Sequence, residues 1–158
     1  MSKSTRATLA LAKAGVSFTL HNYDYDPGSE RVGLQAAEAL GEEPARVLKT
    51  LMAEVDGKPV CAILPSDQEV AMKKLAAAFG GKSAQMMKPP AAERMTGYVV
   101  GGISPFGQKR VVPTVIEESA FLHDLVYMNG GQRGLQVRIA PADAQTALGA
   151  TVAAIIAE

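Results

Sequence analysis

The chain has 158 residues, 47% hydrophobic and 20% charged, and its 16 basic and 16 acidic side chains cancel. This suits one soluble globular domain able to bury about two-thirds of its unfolded surface, and it argues against a broad electrostatic grip on a nucleic-acid duplex. One cysteine excludes an internal disulfide, and two histidines without HExxH or HxH spacing give no support to a metal site. Leu9, Ala10, Leu11 and Ala12 before Lys13 are too short an apolar run for a signal peptide, and no segment reaches the ~20 apolar residues of a membrane span, so a soluble, cytoplasmic protein without cofactor or metal is expected.

Ser4 is placed to cap a helix running to Ala14 and ended by Gly15. Residues 16–23 alternate, with Val16, Phe18 and Leu20 on one face and Ser17, Thr19, His21 and Tyr23 on the other, the period of a half-buried strand. A loop is predicted over 24–29 around Pro27-Gly28, a helix over 34–40 stopping at Gly41, and a short turn opening at Pro44. Residues 47–55, Asp56-Gly57 and 59–64 form a hairpin pattern, because Asp-Gly suits a tight turn between strands. There follow a helix over 70–79 closed by Gly80-Gly81, a short strand over 83–87 and a short helix over 91–95. A strand is predicted over 111–116, where Pro113 implies an edge or a bulge. Two strands, 125–129 and 135–139, bracket a glycine turn at 130–134. A last helix runs from Pro141 to Leu148, and 152–156 closes the chain. Helices and strands mix without a βαβ rhythm. The expected fold is therefore a single α+β domain over residues 1–158, with a mixed, mainly antiparallel, curved or barrel-like sheet.

The segment TGYVVGGISPFGQKR, 96–110, is predicted to enter as a β-like apolar run (Tyr98, Val99, Val100) and to break at Gly101-Gly102. It then turns stiffly through Ser104-Pro105 and leaves on Gln108, Lys109 and Arg110. Adjacent glycines bare the backbone to a ligand, so the loop reads as a wall for something polar or anionic, or else as a tight corner. It is not a phosphate-binding P-loop: the lysine falls one place late, no Ser or Thr follows it, and a strand is expected next.

Lys49 stands in the odd-numbered row of its strand with Val47, Leu51, Ala53 and Val55. An ammonium buried there costs several kcal/mol unless it is paired or opens onto a pocket. It either snorkels to water at the strand end or is held in a cleft, where it could bind a phosphate or carbonyl. Cys61, inside Val60-Cys61-Ala62-Ile63-Leu64, reads as a core residue. Residues 117–124, with His123, read as a solvent-facing segment. Lys73, Lys74, Lys82, Lys88, Arg94, Lys109 and Arg110 could supply a few local phosphate contacts.

Taken with VLKTL (47–51), LHNYDYDP (20–27) and NGGQRGLQV (129–137), the glycine segment resembles the YbaK/EbsC family over nearly the whole chain. These are free-standing relatives of the editing domain inserted in bacterial prolyl-tRNA synthetase. The resemblance implies a mixed α/β domain with a curved sheet and hydrolytic removal of the wrong amino acid from aminoacyl-tRNA. The need is physical: small amino acids that fit a proline-sized pocket differ by only ~1–3 kcal/mol in an apolar site, so a second sieve is required.

By resemblance, Lys49 is the essential lysine, with Thr50 beside it and Tyr23 at the pocket edge. Gly101, Gly102, Ile103, Ser104 and Pro105 form the wall around the terminal adenosine and the ester, and Asn129, Gly130, Gly131, Gln136 and Val32 complete the substrate site. The implied attacking group is a water or, in the cysteine-specific branch, the substrate's own thiol. Cysteine-specific members carry phenylalanine where Val32 stands, serine at Asn129 and aspartate at Gln136. The leading expectation is removal of cysteine from Cys-tRNA(Pro), with Cys-tRNA(Cys) as an additional candidate. Ala-, Ser- or Thr-tRNA editing and a non-catalytic nucleotide- or peptide-binding module are the alternatives. The expected partners are the 3′ end of mischarged tRNA and a prolyl-tRNA synthetase, or else an elongation factor, that brings the tRNA body.

Overall fold

The computed structural model describes residues 4–25 and 32–157. Its first helix, α1 (Arg6–Ala14), is capped by Thr5 rather than by Ser4. Thr5 Oγ1 accepts from Thr8 N at 3.1 Å and Thr8 Oγ1 accepts from Thr5 N at 2.9 Å, a reciprocal box that satisfies two otherwise orphaned donors. Thr5 also donates to Gly130 O at 2.6 Å, tying the helix to the distant glycine turn. The other helices are α2 (Val32–Leu40), α3 (Met72–Ala78), α4 (Pro89–Thr96) and α5 (Pro141–Leu148). Proline opens α4 and α5, and left-handed Gly97 and Gly149 end them. The predicted loop at 24–29 lies largely outside the described residues.

Among the described residues, eight strands form two sheets. β1 (Phe18–Asn22), β7 (Leu135–Ile139) and β6 (Val126–Asn129) make an antiparallel sheet in that order. The second has the order β4 (Ala84–Met86), β2 (Leu48–Val55), β3 (Lys58–Pro65), β5 (Thr114–Glu117) and β8 (Thr151–Ala153). Its β4–β2–β3 part is antiparallel, and β5 and β8 are added in parallel. The α+β expectation holds, with mixed sheets, neither of which closes into a barrel among the described residues.

The β2–β3 hairpin turns on Asp56 at φ 50 and Gly57 at φ 81. The Asp56 carboxylate accepts from the Lys82 and Ser83 amides, which brings β4 alongside. The hairpin is buried on both faces. Leu48, Met52, Cys61 and Ile63 join the larger core, whereas Ala53, Val55, Val60, Ala62 and Leu64 join a second core under α3. Burial on both sides is why 60–64 is continuously apolar, and it places Cys61 in the core as expected.

Three local expectations are corrected. Tyr98–Val100 is not a strand. The left-handed cap at Gly97 turns the chain, Tyr98 Oη is held by Phe106 O at 2.6 Å, and Val99 and Val100 are left on the surface. Pro113 marks neither an edge nor a bulge. It precedes β5, where its missing N–H matters to no ladder, and its carbonyl accepts from Cys61 N at 2.9 Å, so β5 lies inside the sheet. Residues 117–124 are not wholly solvent-facing, since Glu117 is buried and its carboxylate accepts from Ser119 N at 2.8 Å and Ile155 N at 3.1 Å. Among the described residues no helix is long and apolar enough to cross a membrane.

Candidate functional site

Strand β2 has a gap along one edge. Just before it, Val47 is bridged in parallel to Tyr127 of β6, and at 53–55 the strand pairs with β4. From Leu48 to Met52 that edge borders a cavity of about 420 Å³, and all five residues line it. An open edge accounts for the consecutive lining: Lys49 and Thr50 leave opposite faces of the strand, and both reach a space that lies beside it. Met52 O accepts from Met87 N at 3.0 Å and Asp56 N donates to Ser83 O at 3.0 Å, so the backbone groups of even-numbered residues turn toward this edge. By the same alternation the amide and carbonyl of Thr50 face the cavity.

The rest of the wall comes from distant segments. The turn after β3 contributes Ser66, Asp67, Gln68 and Glu69, and α4 contributes Pro89 and Ala92. The glycine loop contributes Val100, Gly101 and Ile103, and β6 and β7 contribute Asn129 and Gln136. Lys49, Thr50, Gly101, Ile103, Asn129 and Gln136 are therefore brought to one cavity. Gly102, Ser104, Pro105, Gly130, Gly131 and Tyr23 are not on its lining. Val32 opens α2, and its side chain lies outside the described residues.

Residues behind the lining hold it in place. Ser104 is fully buried, and its Oγ accepts from Phe106 N at 3.1 Å, making the Ser104-Pro105 turn an internal support. A Cβ on Gly102 would lie 2.9 Å from Arg133 N, and one on Gly130 would lie 2.7 Å from Leu135 Cγ, so both glycines permit close packing. Asn129 joins the two glycine turns, donating to Gly101 O at 3.2 Å and accepting from Gly131 N at 2.7 Å. Arg133 adds a second clasp, giving two N–H bonds to Val100 O at 3.0 and 2.8 Å while its guanidinium lies 5.3 Å from the Tyr25 ring centroid. Sequence reasoning missed Arg133 and Tyr25. Both lie in the motifs LHNYDYDP and NGGQRGLQV, but nothing local links one to the other.

Two lining residues carry buried polar atoms without a hydrogen-bond partner, Thr50 Oγ1 and Gln136 Oε1. Behind them, Tyr23 Oη is likewise buried and unpartnered. Burial pushes the Tyr23 hydroxyl above its ordinary range, and the nearby Gly134 backbone and Gln136 side chain temper the shift without completing a hydrogen bond. Such atoms cost free energy until something satisfies them, so a ligand with polar groups fits this floor. Among the described residues no cluster of three or more His, Cys, Asp or Glu could hold a metal. Cys61 is fully buried, and burial raises its thiol to about 12, which leaves it no reactive role.

The sequence model of the aminoacyl-tRNA editing domain matches residues 32–147. EbsC of Enterococcus faecalis, named as a Cys-tRNA(Pro)/Cys-tRNA(Cys) deacylase, is 42% identical over 107 residues, which are 66% of this chain and 65% of EbsC. ProXp-y of Escherichia coli, named as a multifunctional Ser/Thr-tRNA deacylase, is 28% identical over 87% of this chain and 83% of its own length. The proline–tRNA ligase of Maridesulfovibrio salexigens is 31% identical over 68% of this chain but only 18% of the ligase. The match thus covers less than two-thirds of EbsC and a small part of the ligase. A solved structure described as a trans-editing enzyme for prolyl-tRNA synthetase has the same fold, with a TM-score of 0.83 at 23% identity over 99% of this chain and 100% of that one.

Proposed function

The chain belongs to the aminoacyl-tRNA editing domain family, and on that premise we propose that it is a cytoplasmic trans-editing deacylase that removes cysteine from mischarged Cys-tRNA(Pro). The observation that carries the reading is a single cavity shared by Lys49, the bare backbone of Gly101 and the unpartnered atoms of Thr50 and Gln136. Lys49 is the catalytic residue of this proposal, stabilising the negative charge that develops on the ester oxygen. Thr50, Ile103, Asn129, Gln136 and the Gly101 backbone hold the adenosine and the aminoacyl group. Tyr23 stands behind the lining, and Val32 is assigned to the amino-acid side on the family resemblance alone, while Gly102, Ser104, Pro105, Gly130 and Gly131 support the wall.

No protein nucleophile is needed, because the ester is already activated and positioning with fixed charge supplies the rate. Water attacks the carbonyl carbon, the bond to the tRNA 3′-oxygen breaks, and that oxygen takes a proton. With cysteine the substrate's own sulfur can attack instead, closing a ring and releasing the tRNA hydroxyl. The similarity to EbsC supports cysteine as the amino acid. A second reading, Ser- or Thr-tRNA, is favoured by the same floor, since Thr50 Oγ1 and Gln136 Oε1 could each bond a substrate hydroxyl. A synthetase partner is proposed with either substrate, to deliver the body of the tRNA.

The test is a panel of tRNA(Pro) charged with cysteine, alanine, serine or threonine, run beside Lys49→Ala. Wild-type protein is expected to clear the cysteinyl form fastest. Lys49→Ala should lose at least about 10²–10³-fold in rate with its melting temperature kept. Unchanged turnover by Lys49→Ala would remove the catalytic role, and inactivity of the wild type across the panel would leave a binding module.

A further inference from the structure

We infer that a second hollow, on the far side of α4 from the cavity, binds the RNA phosphates that lead to the acylated end. The inference rests on the deacylase reading and names how its substrate is held. α4 is a shared wall, with Pro89 and Ala92 lining the cavity and Ala91, Arg94 and Met95 lining a hollow of about 410 Å³ together with Lys109 and Arg110. The sequence placed Lys109 and Arg110 at the end of a loop facing the ligand. Instead Lys109 N donates to Thr96 O at 2.8 Å and Arg110 N to Met95 O at 3.1 Å, which fixes both along the last turn of α4. A fourth cation is close, since the position of a Gly97 Cβ lies 3.4 Å from Lys109 Cβ and 3.5 Å from Arg6 Nη1.

Four cations thus gather at one helix end in a chain whose 16 basic and 16 acidic side chains cancel overall. No carboxylate among the described residues lines the hollow. Glu93, on the same helix, is engaged elsewhere, accepting from Val100 N at 2.8 Å. Compensation of the helix dipole accounts for one cation in the last turn, and Arg94 supplies it. The carbonyls of that turn are already met by the Gly97, Lys109 and Arg110 amides, so the Lys109 and Arg110 side chains are surplus to capping.

A helix with its side chains is about 10–12 Å across, a span that a few nucleotides of an extended single strand cover. The nucleotides just before the acylated adenosine can therefore cross α4 when the ester lies in the cavity. Three or four contacts give weak, salt-sensitive binding, consistent with a chain that needs a partner to deliver the tRNA body.

The experiment compares wild type with Arg94→Gln/Lys109→Gln/Arg110→Gln, and with each single change in case the triple variant is unstable. Binding to an uncharged tRNA(Pro) transcript is measured by fluorescence anisotropy across a salt series. The triple variant should lose about tenfold or more in affinity at low salt, and its slope of log K against log salt should fall by about 2–3; each single change should lower the slope by about 0.7–0.9. Its kcat/KM should fall on charged tRNA but not on a small 3′-aminoacyl-adenosine ester. Equal affinity and slope for wild type and all variants would overturn the inference. So would weaker binding to prolyl-tRNA synthetase with tRNA binding intact, since the hollow would then face an acidic protein surface. Lys49→Ala separates the two proposals: it should keep the wild-type tRNA affinity and slope while losing turnover, so an inert wild type still reports on the hollow through binding.

Discussion

Gly102→Ala probes whether the glycine loop is shaped by packing or by ligand contact. The added methyl carbon would lie 2.9 Å from Arg133 N, 3.0 Å from the Gln132 carbonyl carbon and 3.1 Å from Gln132 Cα, against the 3.4 Å at which ordinary contact begins. All three neighbours are backbone, so the two glycine turns must separate by about half an ångström. That movement strains the Arg133–Val100 clasp and the Asn129–Gly101 bond described above. Overpacking of this kind costs about 1–3 kcal/mol, and a domain of this size loses about 2–4 °C in Tm per kcal/mol. Because Gly101 moves with its neighbour, kcat/KM on the preferred mischarged tRNA should fall about 10–100-fold. Thermal melting followed by circular dichroism, beside single-turnover deacylation, reads both effects. An unchanged Tm with a raised KM would refute the packing argument and return Gly102 to the ligand wall. Gly101→Ala is the control. Its methyl would come nearest to side-chain atoms, Tyr25 Oη at 3.0 Å and Arg133 Nε at 3.1 Å, rather than backbone, and its cost should come mainly from holding alanine at φ 91.

Gln136→Met removes an unpartnered buried oxygen while keeping volume; Tm should hold or rise while deacylation falls, and a stability loss with full activity would show that the amide serves the fold. Cys61 should resist thiol reagents at pH 8 in the native protein and react fully in denaturant. Because the unfolded thiol ionises near 9 and the folded one near 12, the folded state holds the extra proton between those values and stability should fall by about 1.4 kcal/mol per pH unit there. Cys61→Ala should remove that contribution, and an unchanged alkaline limb in urea titrations would contradict it. The Asp56 carboxylate is held below its ordinary 3.8, chiefly by the Ser83 and Lys82 amides, so its stabilisation is present above that value and lost as pH falls through the lower folded value. Asp56→Ala should flatten the acid limb of the stability curve measured by denaturant titration.

Local chemistry made much of the fold legible. Asp56-Gly57 between two apolar runs announced the hairpin, and Pro141 with Gly149 bounded α5, because backbone preferences at those residues act within a few positions. Tyr98–Val100 misled for the same reason. Its composition suits a strand, but pairing needs a neighbour, and the Gly97 turn with the Tyr98–Phe106 bond leaves it none. Of the site, Lys49 stood out because a cation in an apolar row is costly. The gap that gives it somewhere to point was invisible, since it exists because the β4 ladder on β2 ends at Ala53 and, among the described residues, the backbone pairing with β6 is the isolated Val47–Tyr127 bridge just before β2. Pairing lengths of this kind depend on segments 30 to 80 residues away and leave no local signature. The Arg133 clasp was hidden likewise.

The unpartnered atoms bear directly on which amino acid the cavity can tell apart. An apolar pocket separates side chains differing by one small group by about 10–200-fold, whereas a site that hydrogen-bonds a substrate group rejects the analogue lacking it by 10⁴ or more. Discrimination of the second kind requires buried polar atoms that stay unsatisfied until the right substrate arrives. Thr50 Oγ1 and Gln136 Oε1 meet that description, and the hydroxyl of Tyr23 stands behind them. A thiol is a weak hydrogen-bond donor and would leave most of this capacity unused, so for cysteine the floor must instead hold the ammonium or ester of the substrate. For serine or threonine it can hold the side chain itself. The ratio of cysteinyl to seryl turnover in Gln136→Met therefore separates the two. Loss of both rates together means that the floor grips what all aminoacyl esters share, and selective loss of the seryl rate means that it reads the hydroxyl.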